Sequence, residues 1–281
     1  MKLSVITDEI SMDFEHALDV MLEYGVTSAE LRSLWDVNIA DLSDEQIKRA
    51  KAALKSRSMT VSCIASPLYK CDLGGSETGA VGRTHQATGR GLDQQMGLLE
   101  RCIHLCDFFD TRLIRIFAFW RKGELTGDIE QQIIRTFAEP VARAAEAGVI
   151  LALENEHACY LGTGRETARV LQAVGSPALR GVWDPGNALC AGEKPYPDGY
   201  EAMKEFIAHI HLKDAVMECG KHRWVCMGEG EIDYIGQFRA LEADGYEGCL
   251  SLETHYRPGG DKREQGSREC LAGIQKMLAN L

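Results

Sequence analysis

The feature that most limits the fold of this 281-residue chain is its alternation of short apolar runs with longer amphipathic segments. Eight β-branched or apolar runs have the length of buried strands, at 3–7, 27–31, 60–65, 113–117, 149–153, 179–183, 206–212 and 249–252. Helix signals separate them: Ser43 caps a helix predicted over 44–57, and Gly148 ends one predicted over 129–147. Eight strand–helix units predict an α/β protein built as one closed (β/α)₈ barrel, a TIM barrel.

The alternative arrangement is a doubly wound open sheet, which normally carries a Gly-x-Gly turn after its first strand. Here that turn reads Thr7-Asp8-Glu9-Ile10-Ser11, so the closed barrel is favoured. No linker, low-complexity tract or short repeat divides the sequence, which predicts a single domain over residues 1–281. The third strand is expected to stop at Ser66-Pro67. The long glycine-rich stretch 69–90 that follows is predicted to be a lid or substrate loop.

Composition excludes some classes of partner. The net charge of −11, from 42 acidic and 31 basic residues, argues against a nucleic-acid partner, because such binding needs Lys and Arg to neutralise phosphates. The ten cysteines form no Cys-x-x-Cys pair, so the spacing typical of a structural zinc site is missing. The sequence shows neither a signal-peptide pattern nor an apolar run long enough to span a membrane. We therefore expect a cytoplasmic enzyme with no membrane partner.

Metal-ligand residue types end four consecutive predicted strands. These are Glu154, Asp184, His211 and Glu253, on the fifth to eighth strands. Each one alone has an ordinary explanation as a solvated cap, an ion-pair partner or a polar neighbour of the core. Four adjacent strand ends together indicate one site, because barrel enzymes place their chemistry at the carboxyl ends of the strands. Three carboxylates and one imidazole suit Mn²⁺, Mg²⁺ or Co²⁺, and the ligand types leave Zn²⁺ open.

The same strand ends carry a resemblance to a known family. The matching segments are Leu151–Asn155, Trp183–Asn187, His209–Asp214 and Ser251–His255, together with the glycine-rich Gly228–Asp233 and the opening Thr7–Ser11. With these motifs the sequence resembles the xylose isomerase-like sugar phosphate isomerase/epimerase family. That family also includes ketose 3-epimerases, inosose dehydratases and endonuclease-IV-type enzymes.

The resemblance implies a TIM barrel with one divalent metal ion, Mn²⁺ being the first expectation. Its ligands would be Glu154, Asp184, His211 and Glu253, because the ligand of this family is the second of the two strand-seven histidines. It further implies a small sugar, keto sugar or sugar phosphate as substrate. The two glutamates, Glu154 and Glu253, would be catalytic and would move a proton through an enediolate, chemistry that a metal and flanking carboxylates can support.

Two positions depart from the ketose 3-epimerase pattern. Three residues after the ligand Asp those enzymes have a His, where this chain has Asn187. Six residues after the ligand His they have an Arg, where this chain has Met217. The metal chemistry is therefore expected to be kept while the substrate differs.

Six side chains are candidates for substrate binding: Asn155, His157, Asn187, Lys213, Arg121 and Trp120. Asn155 and His157 follow the first ligand and could bind a hydroxyl, or else support Glu154. Lys213 could stabilise an oxyanion, or pair with a nearby acid. Arg121 could bind a phosphate or carboxylate and Trp120 could stack on a sugar face. The stretch 221–224 is expected to be an exposed turn.

Three other functions remain open. The same residues could serve a dehydratase or lyase acting on a keto-inositol or 3-keto sugar, because an enediolate can also expel a β-hydroxyl. A DNA-repair endonuclease would need more histidines at strand ends and a basic groove, which eight histidines and the acidic charge disfavour. A non-catalytic barrel would leave four converging ligand types unexplained. By analogy with related barrels, a homo-oligomer is also expected.

Overall fold

A computed structural model of the chain describes residues 1–74, 89–260 and 262–281. Its strands are β1 (Lys2–Ile6), β2 (Ser28–Leu31), β3 (Ser33–Leu34), β4 (Val37–Asn38), β5 (Thr60–Leu68), β6 (Leu113–Ile116), β7 (Ile150–Glu154), β8 (Leu179–Trp183), β9 (Ile207–Leu212), β10 (Asp214–Glu218), β11 (Lys221–Val225) and β12 (Cys249–Leu252). Its α-helices are α1 (Phe14–Glu23), α2 (Asp44–Ser56), α3 (Gln95–Phe109), α4 (Gly127–Ala147), α5 (Gly164–Val174), α6 (Pro185–Cys190), α7 (Tyr200–Met203), α8 (Tyr234–Ala243) and α9 (Arg263–Leu278).

Eight of the strands close into a parallel barrel, which confirms the predicted (β/α)₈ fold. Their order around the barrel is β1, β2, β5, β6, β7, β8, β9 and β12, and β12 pairs with β1 to complete the ring. Each barrel strand coincides with one of the eight apolar runs. The four strands that carry the predicted ligands, β7, β8, β9 and β12, are consecutive neighbours, so their carboxyl ends meet on one side of the barrel mouth.

Local capping explains where several helices begin and end. Ser43 accepts a hydrogen bond from the Gln46 amide, and the Gln46 side chain accepts one from the Ser43 amide, which forms the predicted cap of α2. Helix α4 ends at Gly148, whose φ of +69° lies in the left-handed region that glycine adopts without strain. These caps give each of the two helices a boundary encoded in the local sequence.

Two local expectations were wrong. Strand β5 does not stop at Ser66-Pro67 but continues to Leu68, where an irregularity in its pairing with β6 accommodates the proline that cannot donate a ladder bond. The stretch 221–224, expected to be an exposed turn, is part of strand β11. It pairs antiparallel with β10 through a tight connection at Cys219 and Gly220, both at positive φ.

The described part of the chain bears on two further expectations. Of the stretch 69–90, predicted to be a lid or substrate loop, residues 75–88 lie outside the described residues. Among the described residues, no helix is both long enough and apolar enough to cross a membrane.

Candidate metal centre

The four predicted ligand side chains converge at the carboxyl end of the barrel. One donor atom from each of Glu154, Asp184, His211 and Glu253 lies within 4.8 Å of the other three, and all four residues are buried. The Oε2 atom of Glu154 accepts no hydrogen bond from the described residues, which is unusual for a buried carboxylate oxygen. Three hard carboxylates and one imidazole at these separations fit a divalent cation.

A buried glutamate on a distant strand fixes the orientation of His211. The Nε2 atom of His211 lies 3.0 Å from Glu30 Oε1, while its Nδ1 atom lies 3.3 Å from Glu154 Oε1 and 3.5 Å from Glu253 Oε2. Because the Glu30 carboxylate only accepts, it holds the proton on Nε2 and leaves Nδ1 as the nitrogen that faces the carboxylates. The other oxygen of Glu30 lies 2.8 Å from Nε2 of His209. His209 is therefore on the far side of Glu30, and His211 is the histidine of β9 that reaches the carboxylate cluster.

Buried cations compensate the carboxylates. The Lys213 ammonium lies 2.7 Å from Asp184 Oδ2 and 2.8 Å from Glu253 Oε2. Arg115 lies 3.4 Å from Glu154 Oε2, and Arg32 donates to Glu253 Oε1 at 2.8 Å. Lys213 thus pairs with two of the predicted ligands, and the described ion pairs do not join it to Asp214 or Glu231, the acids near it in the sequence.

The same contacts shift the pKa values of the cluster. Burial opposes ionisation of Glu253, yet Lys213 and His211 hold its pKa well below the usual range. Burial raises the pKa of Asp184 to about 7, because Lys213 offsets only part of that effect and the neighbouring carboxylates add to it. Burial is thus the main cause of the raised pKa of Asp184, whereas the charges of Lys213 and His211 outweigh burial at Glu253.

Asn155 holds the backbone of a candidate ligand. Its side-chain amide donates to the Asp184 carbonyl at 2.8 Å and accepts from the Asp184 amide at 2.8 Å. Asp184 in turn caps α6, accepting from the Asn187 amide at 2.8 Å. Asn155, predicted as a substrate contact, is fully buried and its described hydrogen bonds are to backbone, so its contacts position Asp184.

Asn187 and His157 form a bridge from the candidate ligand Glu154 to the rim of the barrel. Asn187 Nδ2 donates to Glu154 Oε1 at 3.1 Å, and Asn187 Oδ1 lies 2.9 Å from His157 Nδ1. Glu156 Oε1 is also 3.1 Å from His157 Nδ1, and the other oxygen of Glu156 binds the ammonium of Lys70 at 2.9 Å. Burial alone would lower the pKa of His157, but the Glu156 carboxylate raises it above its ordinary value.

Trp120 and Arg121 have contacts of a different kind. Trp120 is buried against Phe117 and Cys159. The Arg121 guanidinium donates to the carbonyls of Cys159 and Tyr160 and pairs with Glu166 at 3.2 Å. The described contacts of Arg121 therefore tie the segment after β6 to the segment after β7.

The hairpin β10–β11 brings a row of rings to the site. The His222 ring lies 5.4 Å from that of His157 and 4.8 Å from that of Trp224. Trp224 also lies 5.0 Å from the ring of His255 and 5.6 Å from the Lys213 ammonium. His222 is exposed and Trp224 partly exposed, so these two side chains form part of the rim.

The glycine-rich segment after β11 is held by one carboxylate. Asp214 accepts from the amides of Gly228 and Gly230 at 3.0 and 2.9 Å. A Cβ atom on Gly230 would overlap the Asp214 carboxylate and lie 2.6 Å from the carbonyl oxygen of Ala215. The absence of a side chain at Gly230 is therefore what allows this close approach.

Sequence reasoning missed Glu30, Arg32 and the pairing of Glu156 with Lys70. Glu30 did carry a signal, because it is the one charged residue in the second predicted strand, 27–31. The spacing of His209 and His211 by two residues also predicts that both point to the same side of β9. No comparable signal marks Lys70, whose partner is 86 positions away.

Comparison with known proteins agrees with the barrel fold. A profile of the xylose isomerase-like TIM barrel family matches residues 18–277. An inosose dehydratase of Clostridium perfringens is 24% identical over 135 residues, which cover 42% of this chain and 44% of that enzyme. The chain thus matches less than half the length of that curated relative.

Two solved structures share the fold over nearly the whole chain. The 3-keto-D-glucoside 4-epimerase YcjR of Escherichia coli superposes with a TM-score of 0.72 at 16% identity, covering 98% of this chain and 100% of that one. The IOLI protein, crystallised with a bound zinc atom, gives a TM-score of 0.77 at 16% identity, covering 100% of this chain and 99% of that one.

Proposed function

The chain belongs to the xylose isomerase-like TIM barrel family, and from this premise we propose that it is a metal-dependent isomerase or epimerase of a small sugar-like ketone. The observation that carries the proposal is the convergence of Glu154, Asp184, His211 and Glu253 within 4.8 Å. Sugar-modifying relatives of both kinds, an epimerase and a dehydratase, support a small sugar, keto sugar or sugar phosphate as substrate.

The four clustered side chains would hold one divalent ion. Mn²⁺ is the first candidate, with Mg²⁺, Co²⁺ and Zn²⁺ as alternatives, and a zinc atom is bound by the related IOLI protein. When bound, such an ion would supply Lewis-acid polarisation of a carbonyl and the hydroxyl beside it, which makes the neighbouring C–H bond more acidic.

Glu154 and Glu253 are the proposed proton carriers. Asn187 and Arg115 hold Glu154, whereas Lys213 and Arg32 hold Glu253. Two carboxylates on separate strands can remove a proton at one face of a bound ketone and return one at another. Lys213, with its ammonium beside both Asp184 and Glu253, would stabilise the negative charge that forms on oxygen.

A second candidate function is a dehydratase or lyase acting on a keto-inositol or 3-keto sugar. The observation that favours it is the position of His157, which reaches the rim and is bonded through Asn187 to Glu154. Elimination and epimerisation share the first proton abstraction, so the two candidates differ only in the fate of the enediolate.

The proposal is tested by metal content and by hydrogen exchange. Elemental mass spectrometry of the purified protein should find about one divalent ion per chain, and Asp184→Ala should lose it. In D₂O the metal-loaded protein should introduce deuterium at the carbon beside the ketone of its substrate. NMR over a panel of keto sugars would measure this uptake. Glu253→Gln with metal retained should lose that exchange by about 10²–10⁴-fold; undiminished exchange would refute the assignment of Glu253.

A further inference from the structure

The hydrogen bonds around His157 determine which of its nitrogens carries a proton. Glu154 is acceptor-only when ionised, so the group of Asn187 that faces Glu154 at 3.1 Å must be its NH₂. The carbonyl oxygen of Asn187 therefore faces His157 Nδ1 at 2.9 Å. Because the Glu156 carboxylate, 3.1 Å away, is a second acceptor, Nδ1 must bear hydrogen.

The other nitrogen of His157, Nε2, is left for a ligand. It makes no hydrogen bond within the described part of the chain, and 27% of the side chain is exposed. Its neighbour across the rim is the ring of His222 on the β10–β11 hairpin. An imidazole whose Nδ1 is held by a carboxylate and whose Nε2 is free has the arrangement of a proton-transfer group.

Glu156 is a positioning residue for this imidazole. Its carboxylate is buried and held by the Lys70 ammonium at 2.9 Å and by the Ala158 amide at 3.2 Å. The Lys70 ammonium in turn lies 4.2 Å from the centre of the Phe117 ring. Lys70 and the Ala158 amide therefore hold the Glu156 carboxylate in place, and no step of the proposed proton shuttle between Glu154 and Glu253 uses either Glu156 or His157.

We propose that His157 is a third catalytic residue: with Nδ1–H held by Asn187 and Glu156, its Nε2 takes up a second proton from solvent and donates that proton to a substrate oxygen, which allows the enediolate to lose a β-hydroxyl. This inference rests on the proposed function, because it needs the enediolate that the glutamates form. As the electron pair of the enediolate forms the new C=C bond, the C–O bond at the β carbon breaks. The departing oxygen takes the proton from His157 and leaves as water, the product is an α,β-unsaturated ketone, and solvent returns the proton to His157.

The test separates the C–H step from the C–O step in the metal-loaded full chain. The probe is 2-keto-myo-inositol in D₂O, with deuterium uptake followed by NMR and loss of water followed by the absorbance of the unsaturated ketone. His157→Gln should lower loss of water by about 10²–10⁴-fold, while deuterium uptake changes less than about fivefold and metal content is unchanged. His104→Gln, an exposed histidine on α3, is the matched control and should change neither rate.

A fluorinated probe distinguishes proton donation from a structural role. Fluoride leaves without a proton, so the analogue with fluorine in place of the β-hydroxyl should release fluoride from His157→Gln at nearly the rate of the unmodified protein. Equal losses with both leaving groups would overturn the role of His157. Deuterium uptake without any loss of water by the unmodified protein would overturn it as well and leave the proposed function standing. Absence of deuterium uptake from the probe and from the keto-sugar panel would refute the proposed function itself.

Discussion

Replacing Glu30 by Gln should weaken metal binding without removing a ligand. The Glu30 carboxylate is fully buried and lies 3.0 Å from His211 Nε2 and 2.8 Å from His209 Nε2. A glutamine of the same shape has one accepting oxygen and one donating NH₂. It can therefore accept a hydrogen bond from the Nε2 atom of only one of the two imidazoles. If the NH₂ faces His211, that ring must carry its proton on Nδ1, the atom directed toward the other ligands.

The expected magnitude can be worked from the groups that are lost. Loss of a partner that orients a metal-bound imidazole typically costs about 10–100-fold in metal affinity. That range corresponds to roughly 1.4–2.7 kcal/mol. It is close to the ~1.5–3 kcal/mol that a hydrogen bond to a charged group contributes. The buried position of Glu30 places the expected loss in the upper half of that range, because water cannot replace the missing acceptor.

The assay is calorimetric titration of the metal-free protein with Mn²⁺ and with Zn²⁺. The matched control is Glu193→Gln, a buried carboxylate that accepts from the backbone amides of Gly164 and Arg165 at 2.6 and 3.2 Å. The control should lower the unfolding free energy but leave both dissociation constants within about threefold. The reasoning would be refuted if Glu30→Gln also bound both metals within about threefold of the unmodified protein.

Three further outcomes are expected. Mn²⁺ at about a hundred times its dissociation constant should raise the melting temperature by about 5–10 °C, because such binding adds about 2.7 kcal/mol to the free energy of unfolding. Scanning calorimetry would measure this rise, and Asp184→Ala should abolish it. Gly230→Ala should destabilise the fold by at least about 3 kcal/mol in urea unfolding, whereas Gly97→Ala, where a Cβ meets no atom within 4 Å, should stabilise its helix by up to about 1 kcal/mol. The hydrogen bond with Glu264 raises the pKa of the half-exposed His16 in the folded protein. The stability that this bond adds is therefore present below the pKa of His16 in the unfolded chain, and it is lost as pH rises through the pKa of His16 in the folded protein. His16→Gln should therefore cost no more than about 0.5 kcal/mol at about pH 5.5 and nothing measurable at about pH 9; an equal cost at both would contradict this.

The barrel and the convergence of the four candidate ligands were predictable because both depend on local patterns. Each strand is a short apolar run between helix signals, and closure of eight parallel strands brings their carboxyl ends together without further information. Glu154, Asp184, His211 and Glu253 are found from that geometry, since each lies at the end of its strand or directly after it. The close approach of their donor atoms agrees with this reasoning.

The surroundings of the ligands were less predictable, because they depend on contacts across the barrel. The partners of Lys213 lie just after β8 and just after β12, and only the register and closure of the strands decide that its ammonium reaches both. The hairpin β10–β11 was misread for a different reason. Its polar stretch 221–224 has the composition of a turn, whereas its strand conformation is stabilised by pairing with β10 and by ring contacts to His157 and His255.

The construction of that hairpin has a consequence for how such a protein can diversify. Its ladder joins β10 only to β11, from the pair of Asp214 with Val225 to the pair of Glu218 with Lys221, and it lies outside the ring of barrel strands. Mutations at His222 or Trp224 would alter the shape and polarity of the rim while leaving the strands that bear the ligands untouched. Selection could thus change which molecules reach the barrel mouth without altering the barrel strands themselves, a separation that makes the scaffold evolvable.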